Sequence, residues 1–265
     1  MAFVASLVRG FRLRHCFSEV RTYVMFLGYP RSGHSLVGSL LDAHPDALVA
    51  HELDALRLFQ AGFRRNQVFS MILENDRRFT AAGRRGGGDY GYVVPGQWQG
   101  RYRELRVIGD KSAERSTRRL QGRRDLLDVL RRQAGDDVRF LHVVRNPYDN
   151  IATMWRRSQR ESTLEEVAGR YLTLCRTVGE LKHRLPTRVL DVRHEDLVAD
   201  APSELARICA FLGLSAPDDY VQACAGIVFA SPRQTRGDAP WTSELVAEVD
   251  KEISRHQPFA AYSFE

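Results

Sequence analysis

The stretch YVMFLGYPRSGHS, Tyr23 to Ser35, decides the fold. Tyr23 to Leu27 is a short apolar run, and Gly28 ends it. A turn carrying Pro30, Ser32 and Gly33 follows, and then Leu36, Val37, Leu40 and Leu41 recur at helical spacing. Strand, tight loop and helix in that order point backbone N–H groups and a helix N-terminus at a bound phosphate.

The spacing of Gly28, Gly33 and Ser35 is that of a Walker A loop, with one letter changed: His34 stands where a nucleoside triphosphatase has Lys. A neutral imidazole does not replace the ammonium that bridges the outer phosphates. The fixed cation of this loop is Arg31, three residues earlier, so the loop reads as an anion site of another kind.

Working outward, the chain alternates strands and helices. Ala47 to Ala50 reads as a second strand ending at His51-Glu52, and Arg106 to Ile108 as a third, followed by Gly109-Asp110-Lys111-Ser112. Val138 to Val144 is apolar and β-branched and runs into Arg145-Asn146-Pro147, where Pro147 suits the first turn of a helix. Arg188 to Val192 is a further strand. Helical periodicity marks 53 to 80, 114 to 133 with Gly122 as a weak point, 163 to 184, 202 to 213 and 243 to 255. The pattern predicts an α/β fold with a parallel β-sheet covered by helices on both faces.

Arg84 to Trp98, rich in glycine with interleaved aromatics, reads as a mobile loop, either a plain connection or a substrate lid. Residues 1–22 form a lead-in segment, MAFVASLVRGFRLRHCF and the residues after it. Its apolar runs are broken by Arg9, Arg12 and Arg14, so it reads as an amphipathic helix rather than a membrane span.

Hydrophobic residues make up 43% of the 265 and charged residues 27%, with a net charge of +6. That composition is globular, and the basic balance suits an anionic ligand: a nucleotide, a sulfated product or nucleic acid. The basic residues lack the aromatic interleaving of a nucleic-acid surface. Four scattered cysteines contain no C-x-x-C pair, so no metal site or disulfide framework is expected, and a reducing, cytoplasmic setting fits.

These residues resemble the sulfotransferases that use 3′-phosphoadenosine 5′-phosphosulfate. Four stretches between Tyr23 and the last helix carry the resemblance: Gly28 to Pro45, Val144 to Thr153, Val192 to Val198 with Phe211 to Leu214, and the loop Ser231 to Pro240. The resemblance implies a single sulfotransferase domain over 23–265 with a P-loop-like fold. It implies the nucleotide as co-substrate and no metal. The first stretch would hold the 5′-phosphosulfate through Arg31, Ser32, Gly33, His34 and Ser35, and Arg145 and Thr153 would grip the 3′-phosphate.

Ser231 would join the site, and Arg233 and Arg236 would close over the 3′-phosphate. Glu52 and Lys111 match the catalytic glutamate and lysine positions of the tyrosylprotein branch, which implies a base and a group stabilising the leaving phosphate. His51 is the second candidate base. His34 and His194 depart from a Thr and a Tyr frequent in the family. The acceptor is left open among small molecule, glycan, lipid and peptide, with its pocket expected near Tyr90, Tyr92, Trp98, Tyr102 and Trp155. The alternatives are a P-loop kinase and a non-catalytic nucleotide- or glycan-binding module. Oligomeric state is not readable.

Overall fold

In the computed structural model, which describes residues 2–85, 90–123, 125–159 and 161–265, strand β1 (Thr22–Gly28) is buried along its whole length. Residues that alternate along it feed two different cores. Tyr23, Met25 and Leu27 enter one, and Val24 and Phe26 the other. A strand buried on both faces needs an unbroken apolar run, which is what this sequence supplies.

Four more strands join it: β2 (Ala47–His51), β3 (Val107–Lys111), β4 (Val138–Val144) and β5 (Val189–Arg193). All pairings are parallel, in the order β2-β3-β1-β4-β5. The fold is thus α/β, with one five-stranded parallel sheet flanked by helices. Its register sets His51 beside Lys111, Gly28 beside Val143 and Val144 beside Arg193. The C-terminal ends of all five strands therefore line one edge, where ligands sit in open parallel sheets.

The helices are α1 (Ala2–Arg12), α2 (His34–Asp42), α3 (Ala55–Gln60), α4 (Arg65–Ala81), α5 (Ala113–Leu120) and α6 (Asp125–Ala134). After β4 come α7 (Pro147–Arg157) and α8 (Leu164–Arg184), and after β5 come α9 (His194–Ala199), α10 (Ala201–Leu212), α11 (Asp218–Ala225) and α12 (Ser243–Ile253). A third core gathers Tyr29, Tyr148 and Tyr171 with the apolar faces of α8 and α12. Helix α8 opens on a reciprocal cap: Thr163 Oγ1 accepts from Glu166 N at 3.2 Å while Glu166 Oε2 accepts from Thr163 N at 3.0 Å.

Three sequence expectations change. The helix expected over 53–80 divides into α3 and α4, with Gly62 at φ 85° between them. The helix expected over 114–133 divides into α5 and α6 around Gly122, at φ 66°; Arg124 in that expectation lies outside the described residues. Both glycines hold a left-handed conformation that an L side chain resists. The third strand starts one residue later than expected and continues to Lys111.

The expected mobile loop is tied down at its described residues, and 86–89 lie outside them. Gln99 Nε2 donates to Ser39 O (3.0 Å) and Tyr92 O (2.8 Å), and Tyr92 N donates to Arg84 O at 3.0 Å. Arg84 itself is buried, its Nη1 2.8 Å from Asp42 Oδ2 of α2 and 2.7 Å from Asp76 Oδ1 of α4.

Candidate active site

Each strand delivers one polar or charged residue at or just beyond its C-terminal end: Arg31 after β1, Glu52 after β2, Lys111 closing β3, Arg145 after β4 and His194 after β5. These five residues come from all parts of the chain, and the parallel sheet alone brings them to one edge.

The loop after β1 is held from beneath. Tyr29 is buried with its hydroxyl 3.0 Å from His142 Nε2, and Asn150 Nδ2 of α7 donates to Pro30 O at 2.6 Å. Arg31 sits at φ 68° with its side chain outward. Gly33, at φ 97°, must be glycine, because a Cβ there would lie 2.7 Å from His194 Nδ1. Helix α2 begins on this glycine, and among the described residues no side chain caps it. An uncapped helix start beside Arg31 has the free N–H groups and positive charge that favour an anion. His34 lines the cleft, and burial, with Lys111 nearby, pushes its pKa down to about 3. Its imidazole is therefore neutral, with Nδ1 3.3 Å from Ser32 Oγ. Ser32 is buried beneath the loop, whereas Ser35 faces the cleft.

The Gly109-Asp110-Lys111-Ser112 sequence works as a clamp on the turn after β2. Glu52 and Asp54 both have positive φ, 57° and 63°. Asp110 accepts from Leu53 N (3.0 Å) and Ala55 N (2.8 Å), and Ser112 Oγ accepts from Asp54 N (3.0 Å). Backbone strain held by several converging bonds is characteristic of working sites. Lys111 then takes the side chain: Nζ donates to Glu52 Oε1 at 2.8 Å and to Ser35 Oγ at 3.0 Å. Burial presses the Lys111 pKa below the ordinary lysine value, opposed by Glu52. Burial works to raise the Glu52 carboxyl, but the Lys111 charge and hydrogen bond outweigh it and hold the pKa below the ordinary value.

His51, the second candidate base, lies behind this pair. Its ring stacks on Phe79 at 4.0 Å and is not among the cleft-lining residues. Burial, reinforced by the Lys111 charge, lowers its pKa to about 4.

On the other side, Arg145 is buried, with Nη2 donating to Arg233 O and with Nε unpartnered among the described residues. Burial lowers its pKa, opposed by Asp149 and Glu195. Asn146 caps α7, and Asp149 in its first turn fastens the late loop: Oδ1 accepts from Thr235 N at 2.6 Å and from Arg236 N at 2.8 Å. Thr153 Oγ1 lies 2.9 Å from Thr235 Oγ1. Thr153, Ser231, Arg233 and Thr235 all line the cleft. Arg236 does not; its guanidinium donates to the carbonyls of Ser263, Phe264 and Glu265.

Together these residues line a cleft of about 1290 Å³. One wall is aromatic: Tyr90 packs against Tyr92 (4.9 Å) and Phe229 (4.4 Å). Trp98, Tyr102 and Trp155 are not lining residues. Tyr102 packs on the core beneath α3 and α4, and Trp155 on the core between α7 and α12. Phe229, Asp149, Asp110 and the lining role of His194 were not singled out in the sequence. Of these, only the two acids carried a readable signal, as polar residues flanking a strand end and a helix start.

Residues 125–218 match the model described as "Sulfotransferase family". Solved structures extend the likeness over the chain. The sulfotransferase domain from the Synechococcus PCC 7002 olefin synthase matches with TM-score 0.57 and 18% identity, over 90% of this chain and 95% of that one. The sulfotransferase domain from the curacin biosynthetic pathway gives 0.59 and 16%, over 93% and 99%. Sulfotransferase STF9 from Mycobacterium avium gives 0.55 and 12%, over 96% and 81%. At these identities the structural likeness is one of fold. No curated protein matches the chain.

Proposed function

We propose that the protein, which has the fold of sulfotransferases and matches that family's model over residues 125–218, transfers a sulfuryl group from 3′-phosphoadenosine 5′-phosphosulfate to a hydroxyl or amine of an acceptor, with Glu52 as the base. The observation that carries this reading is the Lys111 contact to both Glu52 and Ser35, which joins the acceptor side of the cleft to the anion loop.

The residues present fit the donor nucleotide at both of its anionic ends. The uncapped start of α2, Arg31 and Ser35 suit the phosphosulfate. Arg145, whose buried Nε has no partner among the described residues, and Thr153 suit the 3′-phosphate. An orphaned buried guanidinium nitrogen is costly unless a ligand completes it.

Glu52 takes the acceptor proton on a carboxylate oxygen. The acceptor atom forms the new bond to sulfur as the bridging S–O bond of the donor breaks, leaving the bond's electron pair on the departing phosphate. Lys111 and Arg31 face the charge that builds there. Lys111 also keeps Glu52 ionised before proton transfer. The Tyr90–Tyr92–Phe229 wall keeps water from the acceptor side.

The test is calorimetric titration with adenosine 3′,5′-bisphosphate without metal, beside ATP with Mg²⁺. Binding of the bisphosphate that Arg145→Ala weakens supports the reading. Binding of Mg²⁺-ATP alone overturns it.

A further inference from the structure

Helix α1 meets the protein through Gly10, Ser6, Arg9 and one edge of Phe3, whose ring centroid lies 4.8 Å from that of Phe63, and leaves much of its other large apolar side chains exposed. Gly10 meets the backbone of α4 so closely that a Cβ there would lie 2.7 Å from the carbonyl carbon and oxygen of Asn66. Ser6 is buried in the same contact, its Oγ donating to Phe3 O at 2.8 Å and accepting from Gln67 Nε2 at 3.3 Å. Arg9 pairs with Glu74 of α4.

The outward side carries Phe3, Val4, Leu7, Val8 and Phe11, in two rows spaced four residues apart. Among the described residues, seven large hydrophobic side chains stand exposed, and five of them are these; Val4 is 66% exposed and Phe11 64%. A surface helix ordinarily turns its apolar stripe to the core. This one is rotated the other way, and the close Gly10–Asn66 contact locks it there. A clustered apolar face held outward by a built contact needs something to cover it.

Charge indicates what the cover is. Arg9, Arg12 and Arg14 accompany the apolar face, and Arg77 and Arg78 of α4 lie beside Arg9 in a shallow depression. The acid among them, Glu74, is already paired with both Arg9 and Arg78. The Arg14 guanidinium sits 4.2 Å over the Phe11 ring, a cation–π contact that sets a positive charge directly against the apolar face. An apolar helix face rimmed by arginines matches the headgroup boundary of an anionic bilayer. Two copies packed face to face would instead crowd like charges. Among the described residues no helix is long and apolar enough to cross a membrane, so the helix would lie on the surface.

We infer that α1 seats the protein on anionic membrane surfaces. Phe3, Val4, Leu7, Val8 and Phe11 enter the headgroup–acyl boundary, and Arg12 and Arg14 meet lipid phosphates. This seating is independent of the transfer chemistry proposed above.

The experiment is co-sedimentation of the full chain with vesicles of phosphatidylcholine alone and of phosphatidylcholine mixed equally with phosphatidylglycerol. The expected result is binding to the mixed vesicles that weakens with salt, and little binding to the neutral ones. The double variant Val4→Asp/Phe11→Asp is expected to lose roughly tenfold or more in vesicle affinity, and Arg12→Gln/Arg14→Gln on the order of tenfold. Both variants change exposed positions, so their melting temperatures and nucleotide binding serve as controls for folding. No binding to the mixed vesicles overturns the inference. So does equal binding by Val4→Asp/Phe11→Asp, which would mean adsorption of a basic protein by charge alone. A dimer in solution that this variant splits also overturns it, in favour of a second copy as the cover.

Discussion

Lys111 and Glu52 form an ion pair that is sealed at one end and open at the other. Nζ lies 2.8 Å from Oε1, with the lysine side chain 1% exposed and the glutamate side chain 43%. The buried cation cannot leave, whereas the carboxylate can turn toward an incoming acceptor. Such a pair would fix the ionisation of Glu52, the base of the proposed function, without closing access to it.

Replacing Glu52 with Gln keeps the shape of the turn and removes the proton acceptor. Turnover is expected to fall by about 10²–10⁴-fold, while affinity for adenosine 3′,5′-bisphosphate changes little. Steady-state rates beside calorimetric titration measure both. Unchanged turnover would remove Glu52 from the role of base.

The pH profile should have two limbs. Activity falls on the acid side as pH drops through the depressed Glu52 pKa, and on the alkaline side as Lys111, depressed below the ordinary lysine value, loses its proton. Lys111→Met removes the cation that holds Glu52 down. The acid limb of its residual kcat/KM is then expected at higher pH than in the parent, and a limb that stays in place would show that another group titrates there.

Arg145→Ala should weaken adenosine 3′,5′-bisphosphate by roughly 10- to 100-fold, the range of a charge-assisted contact of about 1.5–3 kcal/mol. Adenosine 5′-phosphate, which lacks the 3′ group, should bind parent and variant alike. Equal losses for the two nucleotides would move Arg145 away from the 3′-phosphate.

Arg84→Met tests the buried trio with Asp42 and Asp76. Removing the cation leaves two carboxyls in the interior, at a cost of about 3–5 kcal/mol. Burial, and then the neighbouring Asp76, raise the Asp42 pKa far above its ordinary value. The folded state therefore holds a proton the unfolded chain would release, so this group's contribution is fullest at low pH and is lost as pH rises. Without Arg84 that loss should steepen, and urea unfolding across the acid to neutral range reads it directly.

Much of the site was legible because its residues sit next to strong local signals. Arg31 follows an apolar run and a glycine, Arg145 follows VRFLHVV, and Thr153 lies two turns into a helix opened by Pro147. Glu52 was read just past a strand end, and Lys111 came from the resemblance, three residues beyond the expected end of the third strand; the sheet then sets both at one edge. Pairings between distant parts of the chain were not legible. Arg84 looks like one more loop arginine until Asp42 and Asp76 close on it, and nothing local announces a partner 42 residues upstream on a different element. Arg236 shows the reverse case. Its place in a basic loop suggested a phosphate contact, but its guanidinium is engaged by the carbonyls of the last three residues. The two divided helices were visible only as glycines, because a break and a tolerated glycine look alike in one sequence.

The place of β1 in the sheet bears on how the molecule fails when warmed. It is the middle strand, shielded on each side by β3 and β4, which themselves separate it from the edge strands β2 and β5 with their single neighbours. Amide exchange is slowest where opening demands the most bonds, so β1 should protect its protons longest and the outer strands release theirs first. The loop that opens α2 is mounted on the last strand to yield, and the Glu52 turn on one of the first. Under the proposed function, a partly loosened molecule would stop reacting while still holding its nucleotide.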